Sequence, residues 1–169
     1  MADKRLNCQI TKQMHLTIAL GANLGDRDAT LATARQLIED RLGSLSAVSS
    51  LQETPAWGMT DQPDFLNQVV VVVVKQEWED LLTATSSLTP GLHKLLDAVQ
   101  AIETELGRQR TQHWGPRTCD LDLIFLRDLR YEDERISLPH PWWEKRDFVG
   151  GIIHRELPQL LVEYPVRRP

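Results

Sequence analysis

The stretch Gly115–Leu126, GPRTCDLDLIFL, decides how we interpret the fold, because it contains the clearest strand signal of the chain. From Thr118 to Leu126 most residues are apolar, and the exceptions include Asp120 and Asp122, two positions apart. Successive side chains of a strand point to opposite faces of a sheet, so both carboxylates share one face while the leucines that follow them turn into the core. We therefore predict a strand that carries a pair of aspartates on one face.

The paired aspartates have two interpretations. Two carboxylates side by side repel each other, and a divalent cation such as Mg²⁺, which prefers oxygen ligands, would relieve that repulsion. The alternative is a salt-bridged pair at a solvated strand edge. Arg117, three residues before Asp120, supplies a fixed cation that suits a phosphate. The pattern by itself leaves both interpretations open.

Outward from this strand, the chain alternates between strand and helix signals. The predicted strands are His15–Leu20, Leu45–Glu53, Phe65–Lys75 and Thr118–Leu126, and the predicted helices run from a cap at Asp26 to about Leu42 and from Leu92 to Leu106. The six consecutive valines Val69–Val74 are β-branched and favour a central strand. This βαββαβ order predicts an α+β fold with a ferredoxin-like core, in which helices pack on an antiparallel sheet and C-terminal residues add to it.

The connection between the third strand and the second long helix is unusually extended. Trp78, Leu81 and Leu82 have helical spacing, so we predict an additional amphipathic helix over 76–85, followed by a hinge over 86–90. We interpret this segment as an insertion far from any site.

Length and composition bound the class of protein. With 169 residues and 41% hydrophobic content, the chain is long enough for one domain with a real core and short for two. We predict a flexible tail at 1–14 and a single domain at 15–169. The net charge of −5 argues against a general nucleic-acid binder, while Arg108, Arg110 and Arg117 indicate a local anion site.

The cysteines and the apolar runs indicate the compartment. Cys8 and Cys119 lack the spacing of metal ligands, as is typical of a reduced cytoplasmic protein. No apolar run reaches the length of a membrane helix, and residues 1–13 lack the apolar stretch of a signal peptide. We therefore expect a cytoplasmic protein.

The segment Trp114–Leu126, WGPRTCDLDLIFL, resembles the signature GPRxxDLDIL of the 6-hydroxymethyl-7,8-dihydropterin pyrophosphokinase family. Four further segments agree with the family in order and approximate spacing: IALGANLGDR from Ile18, ETPAWGMTDQPDFLN from Glu53, AIETELGRQR from Ala101 and LPHPWWEKRDFV from Leu138. The resemblance covers Leu16–Pro165. It implies a monomeric enzyme of folate synthesis that transfers diphosphate from ATP to the pterin and releases AMP.

The resemblance also implies roles for residues at the phosphate end. Asp120 and Asp122 would bind two Mg²⁺ ions that bridge the ATP phosphates and the pterin hydroxymethyl oxygen. Arg108 and Arg117 would contact phosphates, and Arg110 would belong to a mobile loop. The remaining residues beside the nucleotide would be Gln100, Glu103, His140 and Arg146. Without the resemblance, His140 would be interpreted as a capped turn histidine before Pro141.

The implied pterin site follows the chemistry of a flat polar ring. Phe65 and Phe148 would sandwich the ring, and Asn67 would bind its polar edge. The pocket would be completed by Thr54, Pro55 and Asp120, with lids at Trp57 and Trp114. On composition alone, either phenylalanine is more readily a core residue.

Two other functions compete with this interpretation. An RNA-binding ferredoxin-like module is disfavoured by the negative net charge and by the lack of a basic, aromatic-rich strand. A metal-dependent phosphohydrolase would also use the aspartate pair. No GxxxxGK[ST] or GxGxxG sequence follows a strand, so neither glycine-rich cradle is available for phosphates. Phosphoryl transfer depends mainly on positioning and charge neutralisation, which arginines and metal ions supply.

Overall fold

Apolar and β-branched runs form an antiparallel sheet in the computed structural model, which describes residues 13–56, 61–84, 88–108 and 116–163. Its strands are β1 (His15–Ala22), β2 (Gly43–Val48), β3 (Gln52–Thr54), β4 (Phe65–Val74) and β5 (Asp120–Leu126), and a separate pair is formed by β6 (Tyr131–Glu132) and β7 (Ser137–Leu138). The helices are α1 (Arg27–Arg41), α2 (Gln76–Thr83), α3 (Leu88–Glu105), α4 (Ile152–Glu156) and α5 (Gln159–Glu163), with a π-helical turn at Asp147–Gly151 before α4.

The strand order is β2–β4–β1–β5, with β3 also paired to β4, and every pair is antiparallel. The valine run lies in β4, between β2 and β1, as predicted for a central strand. Val70 and Val72 pack into the core on one side of the sheet, and Val69 and Val71 pack into a second core on the other side. An antiparallel sheet with packed helices is therefore confirmed.

The prediction of one strand over Leu45–Glu53 is wrong, because side chains interrupt the ladder and divide it into β2 and β3. The N–H of Val69 donates to the hydroxyl Oγ of Ser49 at 2.9 Å, while the N–H of Ser49 donates to the carbonyl of Val69 at 2.9 Å. Ser50 turns its own N–H and hydroxyl toward Glu156 of α4, at 2.6 and 2.7 Å. Serine side chains compete with regular backbone pairing in this way, and the chain bends between the two strands.

Helix α1 begins and ends as predicted. Asp26 caps it, since its Oδ1 accepts a hydrogen bond from the N–H of Ala29 at 3.0 Å. The helix gives way to Gly43, where φ is +153° and an added Cβ would lie 2.0 Å from the carbonyl oxygen of Val73. Only glycine fits at this entry into β2.

The extended connection contains the predicted extra helix, α2. Its Trp78 ring packs against the core and donates Nε1–H to the carbonyl of Arg41 at 2.9 Å. The predicted hinge over 86–90 is wrong at its end, because α3 already begins at Leu88. Pro90 is the third residue of α3, where a missing N–H breaks no helical bond. Residues 85–87 lie outside the described part of the chain.

The two faces of the sheet are covered by different parts of the chain. Helices α1, α2 and α3 pack on one face, and the π-helical turn, α4 and α5 pack on the other. Leu121 and Leu123 belong to the first core, which confirms that the two aspartates of β5 share the opposite face. Among the helices described, none combines the length and apolar character required to cross a membrane.

Candidate active site

The register of the sheet aligns two predicted site residues, Asn67 and Asp120, in one row. Gln52 of β3 pairs with Asn67 of β4, Asn67 pairs with Gly21 of β1, and Gly21 pairs with Asp120 of β5. Side chains two positions along a strand share a face, so Phe65 lies beside this row on one side and Asp122 on the other. The predicted pterin residues and the aspartate pair therefore meet on one face.

Asp120 is held by two arginines. Its Oδ1 lies 2.6 Å from Nη1 of Arg108, and its Oδ2 lies 2.8 Å from Nη1 of Arg117. Both guanidiniums are mostly shielded from solvent, which strengthens charge-assisted bonds relative to those at an open surface. The Nε–H of Arg117 is buried and has no acceptor among the described residues. A buried donor of this kind is available to an oxygen-rich ligand.

Asp122 is paired with a third arginine from the C-terminal part of the chain. Its Oδ2 accepts from Nη1 of Arg146 at 2.8 Å. Burial and the neighbouring charge of Asp120 raise the pKa of Asp122 to about 6, and Arg146 offsets part of this effect. Both aspartates are therefore salt-bridged to arginines, as in the second of the two interpretations of the pair.

Glu103 lies beneath the site rather than on its surface. Its Oε1 accepts from the N–H of Leu121 at 2.8 Å and also pairs with Arg108, and its side chain is only 4% exposed. Gly107, with φ of +80°, ends α3 and lets the N–H of Arg108 bond back to the carbonyl of Glu103 at 3.0 Å. The helix end thereby places Arg108 beside Asp120.

Each predicted ring-binding phenylalanine has an arginine above it. The guanidinium carbon of Arg117 lies 5.7 Å from the ring centroid of Phe65, and that of Arg146 lies 5.7 Å from the ring centroid of Phe148. These are cation–π distances. Phe148 also packs against the second core, so it combines a core contact with a face toward the site.

Asn67 is buried at the base of the predicted pterin pocket. Its Nδ2 donates to the hydroxyl of Thr54 at 2.7 Å. An added Cβ at Gly21 would lie 3.3 Å from Oδ1 of Asn67, which is a tight contact, and 3.6 Å from the Phe65 ring, which is an ordinary one. Pro55 follows β3 and is exposed.

His140 has the turn geometry expected from the residues alone. Its ring Nδ1 accepts from the backbone N–H of Trp142 at 3.2 Å, and its backbone N–H donates to the carbonyl of Ile124 at 3.0 Å. Burial and the positive charge of Arg146 lower the pKa of His140 to about 4, so the ring is neutral at pH 7. A neutral ring bonded at Nδ1 presents Nε2–H as a donor.

Other predicted residues lie apart from this cluster or outside the described chain. Gln100 is half-buried on α3, about one turn before Glu103. Trp143 packs edge-on against Phe125 in the second core, whereas Trp142 is exposed beneath Lys145. The remaining predicted residues, Arg110, Trp57 and Trp114, lie outside the described residues.

Two site-building residues were missed from the sequence. The sequence patterns gave no site role to Gly21 or Asn23, which follow the predicted first strand. In the structure, Gly21 pairs with Asp120 in the row, and the buried Asn23 accepts a hydrogen bond from the N–H of Arg117. The succession of small and polar residues after a buried strand was the available signal, since the backbone comes close to a ligand at such turns.

The described residues contain no group of three or more His, Cys, Asp or Glu side chains arranged to hold a metal ion. The two aspartates of β5 pair with Arg108, Arg117 and Arg146, and Arg108 also pairs with Glu103. A site with paired carboxylates and several guanidiniums suits phosphate groups and the cations that accompany them. The fold and site together define an α+β domain equipped for phosphoryl chemistry.

Comparison with known proteins specifies this class. The model of the family described as 7,8-dihydro-6-hydroxymethylpterin-pyrophosphokinase (HPPK) matches residues 17–155. The 2-amino-4-hydroxy-6-hydroxymethyldihydropteridine pyrophosphokinase of Bacillus subtilis is 39% identical over 133 residues, which are 78% of this chain and 71% of that protein. The protein of the same name in Methylorubrum extorquens is 36% identical over 146 residues, 86% of this chain and 84% of that protein. The chain belongs to this pyrophosphokinase family.

Longer relatives share the same region. The mitochondrial folate synthesis bifunctional protein of Arabidopsis thaliana is 33% identical, over 79% of this chain and 22% of that protein. A crystal structure of Plasmodium falciparum HPPK-DHPS has a TM-score of 0.56 and 15% identity, covering 85% of this chain and 39% of that one. At this identity the structural likeness shows the fold alone.

Proposed function

We propose that this protein transfers pyrophosphate from ATP to 6-hydroxymethyl-7,8-dihydropterin in folate synthesis, yielding AMP and the pterin diphosphate. The observation that carries the proposal is the position of Asp120 and Asp122. In a chain of this family, they share one face of β5, where Asp120 pairs with Arg117 and Asp122 pairs with Arg146. Each of these arginines also lies against one of the two phenylalanine rings, so the aspartates are adjacent to both cationic and aromatic side chains.

The proposed ATP end is formed by cationic and donor side chains. Arg108 and Arg117 flank Asp120 and face the phosphates, and the unused Nε–H of Arg117 supplies one more donor for a phosphate oxygen. The nucleotide lies near the side chains of Gln100, His140 and Arg146. Glu103 contributes by holding Arg108 from below rather than by touching the nucleotide.

The proposed pterin end combines aromatic faces with polar edges. Phe65 and Phe148 bind the ring faces, and Asn67 binds the ring edge next to Thr54, Pro55 and Asp120. Arg117 and Arg146 lie against the two aromatic rings and also pair with Asp120 and Asp122, so the same arginines contact residues of both proposed ends.

The aspartate pair fits Mg²⁺ by its chemistry. Carboxylate oxygens on one face are hard ligands, and Mg²⁺ is commonly bound by one or two carboxylates together with substrate phosphates. Burial and the neighbouring charge of Asp120 raise the pKa of Asp122, and a bound cation would favour the charged form of this carboxyl. Asp120 and Asp122 are the residues that would hold two such ions, which when bound supply charge neutralisation for the phosphates.

The protein's own part in the reaction is to position the two substrates and to stabilise the charge that develops between them. The pterin hydroxyl oxygen attacks the β-phosphorus and releases its proton to solvent water, the bond from that phosphorus to the α–β bridging oxygen breaks, and AMP leaves. Negative charge develops on the bridging oxygen, and Arg117 and Arg108 lie where they would stabilise it. His140 and Arg146 hold the nucleotide in line.

Chromatographic analysis of the nucleotide product tests this function. With ATP, Mg²⁺ and the pterin, we expect AMP and pterin diphosphate in equal amounts. The Arg117→Ala variant should lose more kcat than affinity, whereas Asp97→Asn, at an exposed acid of α3, should behave as wild type. Formation of ADP would indicate an ordinary kinase, and phosphate release without pterin would indicate the phosphohydrolase.

We also propose that the βαββαβ elements form a ferredoxin-like core in one domain over 15–169, and that the protein acts as a cytoplasmic monomer. Residues 1–12 of the predicted tail lie outside the described residues, and Met14 packs in the first core. The antiparallel order β2–β4–β1–β5 and the packing of both cores on one sheet support the first part. The buried free thiol of Cys119 suits a reducing compartment. Sedimentation at assay concentrations tests the monomer.

A further inference from the structure

Asn23 connects three distant parts of the chain with one side chain. It lies between β1 and α1 and is only 3% exposed. Its Oδ1 accepts from the N–H of Arg117 at 2.9 Å, and its own N–H donates to the carbonyl of Arg117 at 3.2 Å. Its Nδ2 donates to Oε1 of Gln62 at 3.0 Å and to the carbonyl of Pro63 at 2.9 Å.

The partners determine how the carboxamide is oriented. The N–H of Arg117 can only donate and the carbonyl of Pro63 can only accept, so the oxygen faces Arg117 and the nitrogen faces the 62–63 segment. Both amide hydrogens and one oxygen lone pair are used. No other rotation of the amide satisfies these partners, and Asn23 is therefore a rigid link.

The segments joined by Asn23 carry the two ends of the site. The Arg117 side chain binds Asp120 and belongs to the proposed phosphate end. Pro63 leads directly into β4, whose first residue is Phe65 and which carries Asn67 of the proposed pterin end. One buried carboxamide thus sets the spacing between the residues that bind the two substrates.

We propose that Asn23 is a positioning residue for pyrophosphate transfer, which acts by holding Arg117 and the start of β4 at a fixed separation. This proposal rests on the proposed function. In-line attack requires the pterin oxygen and the β-phosphorus to be aligned, and a misplacement of about 1 Å can cost about a hundredfold in rate. Asn23 contributes to the rate without contacting either substrate.

The competing explanation is that Asn23 only stabilises the turn after β1. Gln68 offers a matched control, because it is also a buried amide that bridges two elements, but on the opposite face of the sheet. Its Nε2 donates to the carbonyl of Ser49 at 2.7 Å, and its Oε1 accepts from Arg35 at 2.6 Å. A purely structural role would make Asn23→Ala and Gln68→Ala alike in their effects.

The test is a double-mutant cycle between Asn23 and Arg117, measured by kcat. We expect Asn23→Ala to lower kcat by up to about a hundredfold, and Arg117→Ala to cost much less in that background than in wild type, because Arg117 is already misplaced. Asn23→Asp keeps the acceptor for Arg117 and should recover part of the loss. In the Gln68→Ala background, Arg117→Ala should retain its full effect.

Hydrogen exchange supplies a readout that does not require turnover. The Arg117 amide should exchange faster in Asn23→Ala and remain protected in Asn23→Asp, since only the latter keeps an oxygen acceptor. Additive effects on kcat, or an unchanged Arg117 amide, would overturn the proposal. If the wild-type protein forms no AMP with the pterin, the proposed function fails by itself, and the exchange of the Arg117 amide still decides whether Asn23 holds this segment.

Discussion

The Glu103→Ala substitution is expected to destabilise the fold by about 3–5 kcal/mol. One oxygen of this buried carboxylate serves both Arg108 and the N–H of Leu121. Its loss leaves a buried amide without that acceptor, which costs about 1–3 kcal/mol, and removes a bond to a charged group worth about 1.5–3 kcal/mol. The sum agrees with the cost of breaking a buried ion pair, about 3–5 kcal/mol. For a chain of this length the melting temperature should fall by about 10 °C.

The Glu103→Gln substitution is the matched control. Its carbonyl oxygen has two lone pairs and can accept from both Arg108 and Leu121, so only the charge is lost. Arg108 also keeps its bond to Asp120 at 2.6 Å. We therefore expect the glutamine variant to lose about 1 kcal/mol, well below the loss of the alanine variant.

Urea denaturation of both variants measures these differences, and hydrogen exchange of the Leu121 amide reports the local bond. The amide should lose protection in Glu103→Ala and keep it in Glu103→Gln. Equal destabilisation of the two variants would refute the reasoning, because it would assign the effect to charge instead of to the shared oxygen. A loss below about 1 kcal/mol for the alanine variant would also refute it.

Three further predictions concern the proposed site. Asp122→Ala should nearly abolish turnover at saturating Mg²⁺ while the circular dichroism spectrum is unchanged, and retained turnover would contradict a metal role. Phe148→Ala should weaken pterin binding by up to about tenfold beyond the effect of lost area, with little change for an ATP analogue, and equal losses in calorimetry would indicate a packing role. Because burial and Arg146 lower the pKa of His140 to about 4, the unfolded chain binds this proton more tightly, so stability should fall as pH decreases from 6.5 to 4. The free energy of unfolding, measured by denaturation across this range, should depend less steeply on pH in His140→Gln than in wild type. An equally steep dependence in both proteins would show that His140 is not the group responsible.

Local patterns were sufficient to predict much of the framework. Strand alternation predicted the shared face of Asp120 and Asp122, and a β-branched run predicted the central position of β4. Such features depend on neighbours in sequence. The bend at Ser49 was missed because its cause is a bond to Val69 and a contact of Ser50 with Glu156, far along the chain.

The partners of the predicted site residues could likewise be predicted only where the two residues are close in sequence. Arg117 is three residues from Asp120, and their ion pair lies within the reach of local sequence reasoning. The pairing of Arg146 with Asp122 depends instead on how the C-terminal segment packs on the second face of the sheet. The bond from Asn23 to Arg117 spans 94 positions, and only the tertiary structure shows that this turn residue is part of the site.

The charge balance of the proposed site bears on how it would bind a nucleotide. Three carboxylates, Glu103, Asp120 and Asp122, are matched by three guanidiniums, those of Arg108, Arg117 and Arg146. A nucleoside triphosphate adds several negative charges. Guanidiniums that already pair with carboxylates compensate these charges only in part. Cations that enter with the nucleotide and bind the aspartates would release the arginines toward the phosphates and away from the two aromatic rings. One exchange of partners would then prepare both ends of the site, because the same arginines lie between the carboxylates and the rings.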